Sequence, residues 1–389
     1  MAKIEDIQAS LRDRSIDAWL FYDHHHRDPI AYRILGLPES LMVSRRWFYL
    51  VPAHGEPLKL VHQIESFHLD SLPGKKRIYA AREELVDNLR ATLSEVGDVA
   101  MQFSPNNMIF TVSIVDAGTV DLVRSLGKNV VSSANLVAKF EATWTEDQIR
   151  SHFAARDSID AIMTAALQEV GRRARNGGTG EFEIQQWLVE AFLREGLVAD
   201  GPPIVAVNRN SGNPHYVPAS DHSAPIGEGD FVLLDVWGKK NTPGAVYYDI
   251  SWTGFVGHSL PDHIGEIFEI VRRSRDAGID KVRTTIAAGK TLCGWEVDKA
   301  ARDVLKAAGY GQYLNSRVGH SIGTEVHGNG ANMDNYESKD EREVIANTCF
   351  SIEPGIYMPD FGLRSEVNML VGMDAAEVTG RIQQEVVLI

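Results

Sequence analysis

Four acids in this sequence sit where strands rarely carry them. Phe231–Val236 reads FVLLDV, an apolar run holding Asp235, and Tyr247–Thr253 reads YYDISWT, with Asp249 inside a second β-prone run. Aspartate is disfavoured in strands and costly to bury alone, so two such acids on neighbouring runs invite a shared cation. Between them, residues 238–244 contain Asn241, Thr242 and Pro243, the turn chemistry of an antiparallel hairpin that would bring both carboxylates together. Downstream, Glu353 lies inside CFSIEPGIYM and Glu366 precedes the β-prone Val367–Val371. A single acid of this kind is more often a strand-end carboxylate bonded to backbone or to a lysine. Four of them repel one another unless positive charge compensates, and a divalent metal is the economical source of that charge.

Imidazoles flank these acids. His320 lies in Gly319-His320-Ser321-Ile322-Gly323, where glycines on both sides permit close backbone approach, and His327 follows seven residues later. His215, in Asn213-Pro214-His215-Tyr216, precedes Asp235. A lone loop histidine is usually a surface or packing residue; a place between two pairs of acids raises the odds of a ligand or a hydrogen-bond donor. Oxygen-rich coordination with one imidazole is unlike structural zinc and closer to manganese, iron or cobalt chemistry.

In this order the residues resemble the pita-bread family of methionine aminopeptidase, aminopeptidase P, prolidase and the metal-free creatinase. The resemblance rests on a histidine in an HY segment (His215), Asp…Asp on a hairpin (Asp235, Asp249), histidine in GHxIG (His320), a second histidine (His327), glutamate in EPG (Glu353) and Glu366 two residues after Arg364. It implies two divalent metal ions, manganese foremost with cobalt, iron or zinc as alternatives, held by Asp235, Asp249, His320, Glu353 and Glu366. It also implies hydrolysis of Xaa-Pro peptide bonds by a metal-bridging hydroxide between ions about 3.5–4 Å apart. Glu353 would shuttle the proton, His327 and His215 would donate to the developing oxyanion, and Arg364 would anchor Glu366 or a neighbouring acid. A small Xaa-Pro peptide is the implied substrate, and a homodimer the implied assembly. The intact acids argue against a metal-free reading.

The elements that must position these groups are legible from periodicity. Thr145 and Gln148 form the capping-box spacing of a long helix, and further helices are expected over Glu181–Glu195, Asp262–Ala277 and Trp295–Ala308. Before them lies an α/β pattern. Helices are expected near Ile4–Arg14, Glu83–Val96 and Ser113–Leu126, and strands at Ala18–Tyr22, Trp47–Val51, Leu58–His62, Asp98–Phe103 and Asn129–Val131. The pattern changes near Glu141–Trp144, giving an α/β N-terminal domain over 1–142 and, by resemblance, an α+β pita-bread (creatinase/aminopeptidase-like) catalytic domain over 143–389. The α/β segment before residue 143 also resembles, more loosely, the N-terminal domain of the prolidase, aminopeptidase P and creatinase branch, which methionine aminopeptidase lacks; that resemblance favours the proline-directed branch. Gly289-Lys290-Thr291 mimics the end of a phosphate-binding loop, but Thr284 stands where that motif needs glycine, so a turn between helices is expected.

Bulk properties narrow the function further. The 389 residues, 44% hydrophobic and 24% charged, carry a formal charge of −14, which repels nucleic acid and anionic membrane surfaces. Two cysteines, Cys293 and Cys349, offer no disulfide framework; with no signal-like or membrane-spanning run, a cytoplasmic location is expected. The Asp235–Asp249 interval is longer than usual in the family, Ser321 replaces a glycine and Gly328 an acid. These departures keep open a hydrolase or lyase of a small amide or amidine metabolite, alongside a catalytically silent binding protein. The run His24-His25-His26 is expected to be a solvated loop, since consecutive side chains on an extended chain point to opposite faces and cannot easily share one metal. A substrate-gating role for it through dimerisation is the minority alternative.

Overall fold

In the first part of the chain, alternation writes the layers. The computed structural model describes residues 3–40 and 42–389, and the chain divides into two compact units, Met1–Glu141 and Ala142–Ile389. The first contains α1 (Ile4–Asp13), β1 (Ala18–Asp23), α2 (Pro29–Leu35), β2 (Trp47–Pro52), β3 (Leu58–His62), β4 (Lys75–Tyr79), α3 (Arg82–Thr92), β5 (Asp98–Met101), α4 (Ala117–Ser125) and β6 (Asn129–Ser132). A further helix, α5 (Ala134–Ala142), runs across the division. The six strands form one mixed sheet in the order β4-β3-β2-β1-β5-β6. Trp19 and Phe21 of β1 pack with Ile7 and Leu11 on one face; Leu20 and Tyr22 pack with Leu85, Leu89 and Val120 on the other. Period-two alternation therefore buries both faces under helices.

Three elements here lie outside the expectations. Helix α2 is only seven residues, too short for periodicity to reveal. It is set by its ends: Asp28 accepts from the Ala31 N–H at 2.9 Å, Pro29 occupies the first turn, and Gly36 closes it at φ 66°. Strand β4 reads KKRIY, a charged and largely exposed edge that lacks the hydrophobic signal of an interior strand. The third is α5. The histidine run is a loop, but not an extended one: His25 and His26 take φ 65° and 55°. Asp23 holds this bend by accepting from the backbone N–H groups of His26, Arg27 and Asp28.

The second unit begins with α6 (Glu146–Arg175), whose capping box forms as spaced, Thr145 N–H donating to Gln148 Oε1 at 2.9 Å and Gln148 N–H to Thr145 Oγ1 at 3.3 Å. There follow β7 (Thr179–Gly180), α7 (Glu181–Arg194), β8 (Leu197–Val198), β9 (Ile204–Val207), β10 (Pro225–Ile226), β11 (Phe231–Lys240) and β12 (Tyr248–Phe255). Next come α8 (Asp262–Ala287), α9 (Gly294–Ala307), β13 (Ser321–Ile322), β14 (Cys349–Ile352), β15 (Gly355–Tyr357), β16 (Gly362–Arg364), β17 (Val367–Val371), β18 (Ala376–Val378) and β19 (Val387–Leu388). Helix α8 runs well past the expected Ala277, through Gly278, whose missing side chain admits Ile352. It stops at Gly289 with φ 63°, so the Gly-Lys-Thr segment is a helix terminus.

Strands β11 and β12 form the expected antiparallel hairpin, with Asp235 opposite Ser251 and Trp237 opposite Asp249. Val232, Leu234, Val236, Tyr248 and Ile250 pack with Ile159, Met163 and Leu167 of α6. The alternate set, Asp235, Trp237, Asp249 and Ser251, is thereby committed to the opposite face. A second sheet, β13-β14-β17-β18, joins this hairpin through Asn368, which accepts from the Asp249 N–H at 3.0 Å and donates to the Asp249 carbonyl. Cys293 and Cys349 are both free thiols. Among the described residues no helix is long and apolar enough to cross a membrane.

Candidate metal centre

The hairpin face and the second sheet bring the acids together. Ligand atoms of Asp249, His320 and Glu366 all lie within 4.8 Å of one another, and all three residues are buried. His320 Nε2 stands 3.4 Å from Asp249 Oδ2 and 3.3 Å from Glu353 Oε1, which places Glu353 beside the same cluster. Asp235 joins through hydrogen bonds: Ser251 Oγ lies 2.8 Å from Asp235 Oδ1 and 2.7 Å from Glu366 Oε2. Arg364 donates from Nη2 to Asp235 Oδ2 at 2.5 Å and from Nε to Ser251 Oγ at 2.9 Å, while its Nε is 3.9 Å from Glu353 Oε2. Of the two partners expected for the arginine, Glu366 or a neighbouring acid, it grips the neighbouring acid Asp235 directly and reaches Glu366 by hydrogen bonding through Ser251.

Electrostatics say what this cluster lacks. Burial pushes the carboxyls of Asp249 and Glu366 well above the usual carboxylate range, and their acidic neighbours push the same way. Burial raises Asp235 to about 6 against the lowering pull of Arg364. Burial also lowers His320, holding its imidazole neutral and therefore able to ligate. Among the described residues Glu366 Oε1 finds no hydrogen-bond partner, although it is buried. A buried oxygen with no donor among the described residues, in a cluster where four carboxyl groups gather around the guanidinium of Arg364, fits a cation site in donor type and charge.

The remaining expected residues are placed differently. His327 packs its ring 4.3 Å from that of His320, and burial with the neighbouring imidazole drives it down to about 4. His215 is exposed, in the turn after Asn208–Gly212, and its N–H donates to Asn213 Oδ1 at 3.1 Å. The structure gives its ring no contact with the carboxylates. Its loop is fixed by Glu181, a fully buried acid that accepts from the Val207 and Ala224 N–H groups, Asn210 Nδ2 and the Tyr216 hydroxyl.

A family model for metallopeptidase family M24 matches residues 155–373. The chain belongs to metallopeptidase family M24. A curated relative, the Xaa-Pro dipeptidase of Lactobacillus delbrueckii subsp. lactis, is 33% identical over 194 residues, covering 49% of this chain and 48% of the relative. The chain spans about half the length of the curated relatives it matches. Across the whole fold, dipeptidase PepE from Mycobacterium ulcerans aligns with a TM-score of 0.69 at 22% identity, covering 99% of this chain and 96% of that one. The prolidase from Pyrococcus horikoshii OT3 aligns at 0.61 and 22% identity, with 99% of both chains covered. The chain has the pita-bread fold of this family, and family membership implies divalent metal.

Several residues that order the acidic cluster carry no sequence signal of their own because they are small and neutral. Ser351 Oγ accepts from the His320 N–H at 3.0 Å and donates to Glu353 Oε1 at 2.9 Å, tying the backbone of one cluster residue to the side chain of another. Ser251 links three charged groups, Asn368 clamps Asp249, and Tyr357 OH accepts from Arg364 Nη1 at 3.2 Å. The available signal was period two: Ser251 lies two residues beyond Asp249, and Ser351 two before Glu353.

Proposed function

We propose that this chain is a metal-dependent hydrolase of Xaa-Pro peptide bonds, acting as a dipeptidase or aminopeptidase, with 143–389 as its catalytic domain and 1–142 as an accompanying domain. The observation that carries the reading is the buried surplus of carboxylates around Glu366 Oε1, which lacks any hydrogen-bond donor among the described residues. Asp235, Asp249, His320, Glu353 and Glu366 would hold two divalent ions, manganese before cobalt, iron or zinc because oxygen donors dominate the set. Such ions, when bound, supply compensating charge, Lewis acidity and an activated water.

The side chains divide the remaining work. Glu353, half-buried and steered by Ser351, takes the proton of the attacking water and returns it to the departing prolyl nitrogen. His327 and His215 donate hydrogen bonds to the scissile carbonyl as negative charge gathers on its oxygen. Arg364 keeps Asp235 ionised and oriented. The reading includes a homodimer and a cytoplasmic location, checked by native mass and fractionation.

Metal analysis of the purified protein, followed by assay on Xaa-Pro dipeptides and on longer peptides, tests the proposal. Bound divalent metal is expected, with turnover that a chelator abolishes and manganese restores. Bound metal without turnover of any Xaa-Pro substrate would overturn it in favour of a small amide or amidine substrate.

A further inference from the structure

The loop between β8 and β9 carries an acid that the metal cluster does not use. Asp200 is exposed, yet an aromatic residue holds it: Trp237 donates from Nε1 to Asp200 Oδ1 at 2.6 Å. A side chain added at Gly201 would approach the Trp237 ring to 3.3 Å, so the loop packs on the indole. Trp237 is directly opposite Asp249 in the hairpin, and directly opposed antiparallel residues bring their Cβ atoms within about 4.5–5.5 Å on one face. The Asp200 carboxylate therefore stands one indole away from a candidate metal ligand. Its negative charge is felt at Asp249, at His327 and at Tyr247. Lys239, over the Tyr247 ring, is turned to the Thr324 carbonyl.

Such a placement has a chemical meaning. An indole N–H occupies Oδ1 and fixes the carboxylate plane, leaving Oδ2 for a ligand at the rim of the cluster. The partly exposed indole of Trp237 offers an aromatic face along which an aliphatic stem packs and against which a cation is stabilised. We propose that Asp200 is a specificity-determining residue that binds a cationic nitrogen on the substrate residue N-terminal to the scissile bond. The α-ammonium and a lysine or arginine side chain share that chemistry. This inference rests on the peptidase reading above for its substrate class.

The test compares wild type, Asp200→Asn and Asp200→Glu on lysyl-proline, norleucyl-proline and lactoyl-proline, the last lacking any ammonium. Losing one rim ion pair corresponds to about fivefold in affinity, so Asp200→Asn is expected to raise KM about fivefold on the recognised substrate with kcat little changed. A rise for lysyl-proline alone assigns the side chain; an equal rise for both dipeptides, absent for lactoyl-proline, assigns the α-ammonium. Asp200→Glu should restore part of the lost affinity. Equal loss on all three compounds, or no loss on any, overturns the proposal. Calorimetric titration of L-lysinamide and L-norleucinamide into the metal-loaded protein gives a readout without turnover. If wild type cleaves no Xaa-Pro compound, the peptidase reading fails, whereas weaker binding of these amides to Asp200→Asn still supports the carboxylate's role and unchanged binding still refutes it.

Discussion

Both units bury acids, and they do so in opposite ways. In the first unit Asp23 is surrounded by donors: Arg27 and Asp28 N–H reach Oδ1 at 2.7 and 3.0 Å, and His26 N–H and the Tyr32 hydroxyl reach Oδ2 at 3.0 and 2.9 Å. Asp28 takes Ala31 N–H on one oxygen and Gln102 Nε2 on the other, and Gln102 in turn accepts from Trp19 Nε1 at 3.1 Å. Asp28 is still driven up to about 7 by burial, yet each of its oxygens has a donor. In the second unit four acids share one arginine, two serines and a histidine, and Glu366 Oε1 has no donor among the described residues. A satisfied buried acid holds a loop; an unsatisfied cluster of them asks for a cation.

The largest effect should come from the acid assigned to proton transfer. Glu353→Gln keeps an oxygen for a metal but removes the base, so kcat/KM is expected to fall about a thousandfold with metal occupancy retained. Metal analysis and kinetics on the same preparation check this, and an active, metal-replete variant would break the assignment. The mirror experiment is Asp23→Ala in the first unit. It strands several buried donors and should cost about 3 kcal/mol of stability in denaturant titration, with metal stoichiometry unchanged. Metal loss in that variant would erase the distinction between the two kinds of acid.

How much of this distinction the sequence revealed depends on the kind of signal. Asp235, Asp249, Glu353 and Glu366 were legible because a charge inside an apolar run contradicts its surroundings. The capping box at Thr145 was legible because both partners lie within four residues. Strand β4 was missed because an exposed edge strand needs no apolar alternation, and α2 because seven residues hold fewer than two turns. Ser251, Ser351 and Asn368 were missed because a neutral hydroxyl or amide in a strand looks ordinary. Their importance arises only when two sheets meet. The histidine run misled about its backbone: the left-handed turns at His25 and His26 depend on Asp23 gathering three N–H groups, a tertiary condition that alternation cannot report.

A buried imidazole sharpens the comparison between satisfied and unsatisfied groups. His152 is fully buried, with Nδ1 2.7 Å from the Tyr247 carbonyl and Nε2 2.8 Å from Thr379 Oγ1, partners that suit the neutral ring. Burial pushes it down to about 4. A group whose charged form is disfavoured in the fold contributes stability that is full above its unfolded pKa of about 6.5 and is lost as pH falls from there toward 4. The stability difference between wild type and His152→Gln should shrink by about 3 kcal/mol between pH 7 and pH 4. Subtracting the variant cancels the acids of the buried cluster. A difference that stays constant over that window would show that His152 does not titrate as its burial requires.

The smallest effect belongs to Ser251, and it probes the join between the two descriptions. Its hydroxyl accepts from Arg364 Nε at 2.9 Å and has a single proton for two carboxylates, Asp235 at 2.8 Å and Glu366 at 2.7 Å. One of these acids must therefore carry its own proton or turn toward a cation. Ser251→Ala should weaken metal affinity about tenfold, at the lower end of what a residue supporting the ligands contributes. Competition with a chelator of known affinity reads this directly, and Ser251→Thr, which keeps the hydroxyl, should recover most of the loss. Unchanged metal affinity in the alanine variant would mean that Arg364 alone orients Asp235, and that Ser251 belongs with the satisfied loop-holding groups of the first unit rather than with the cation site.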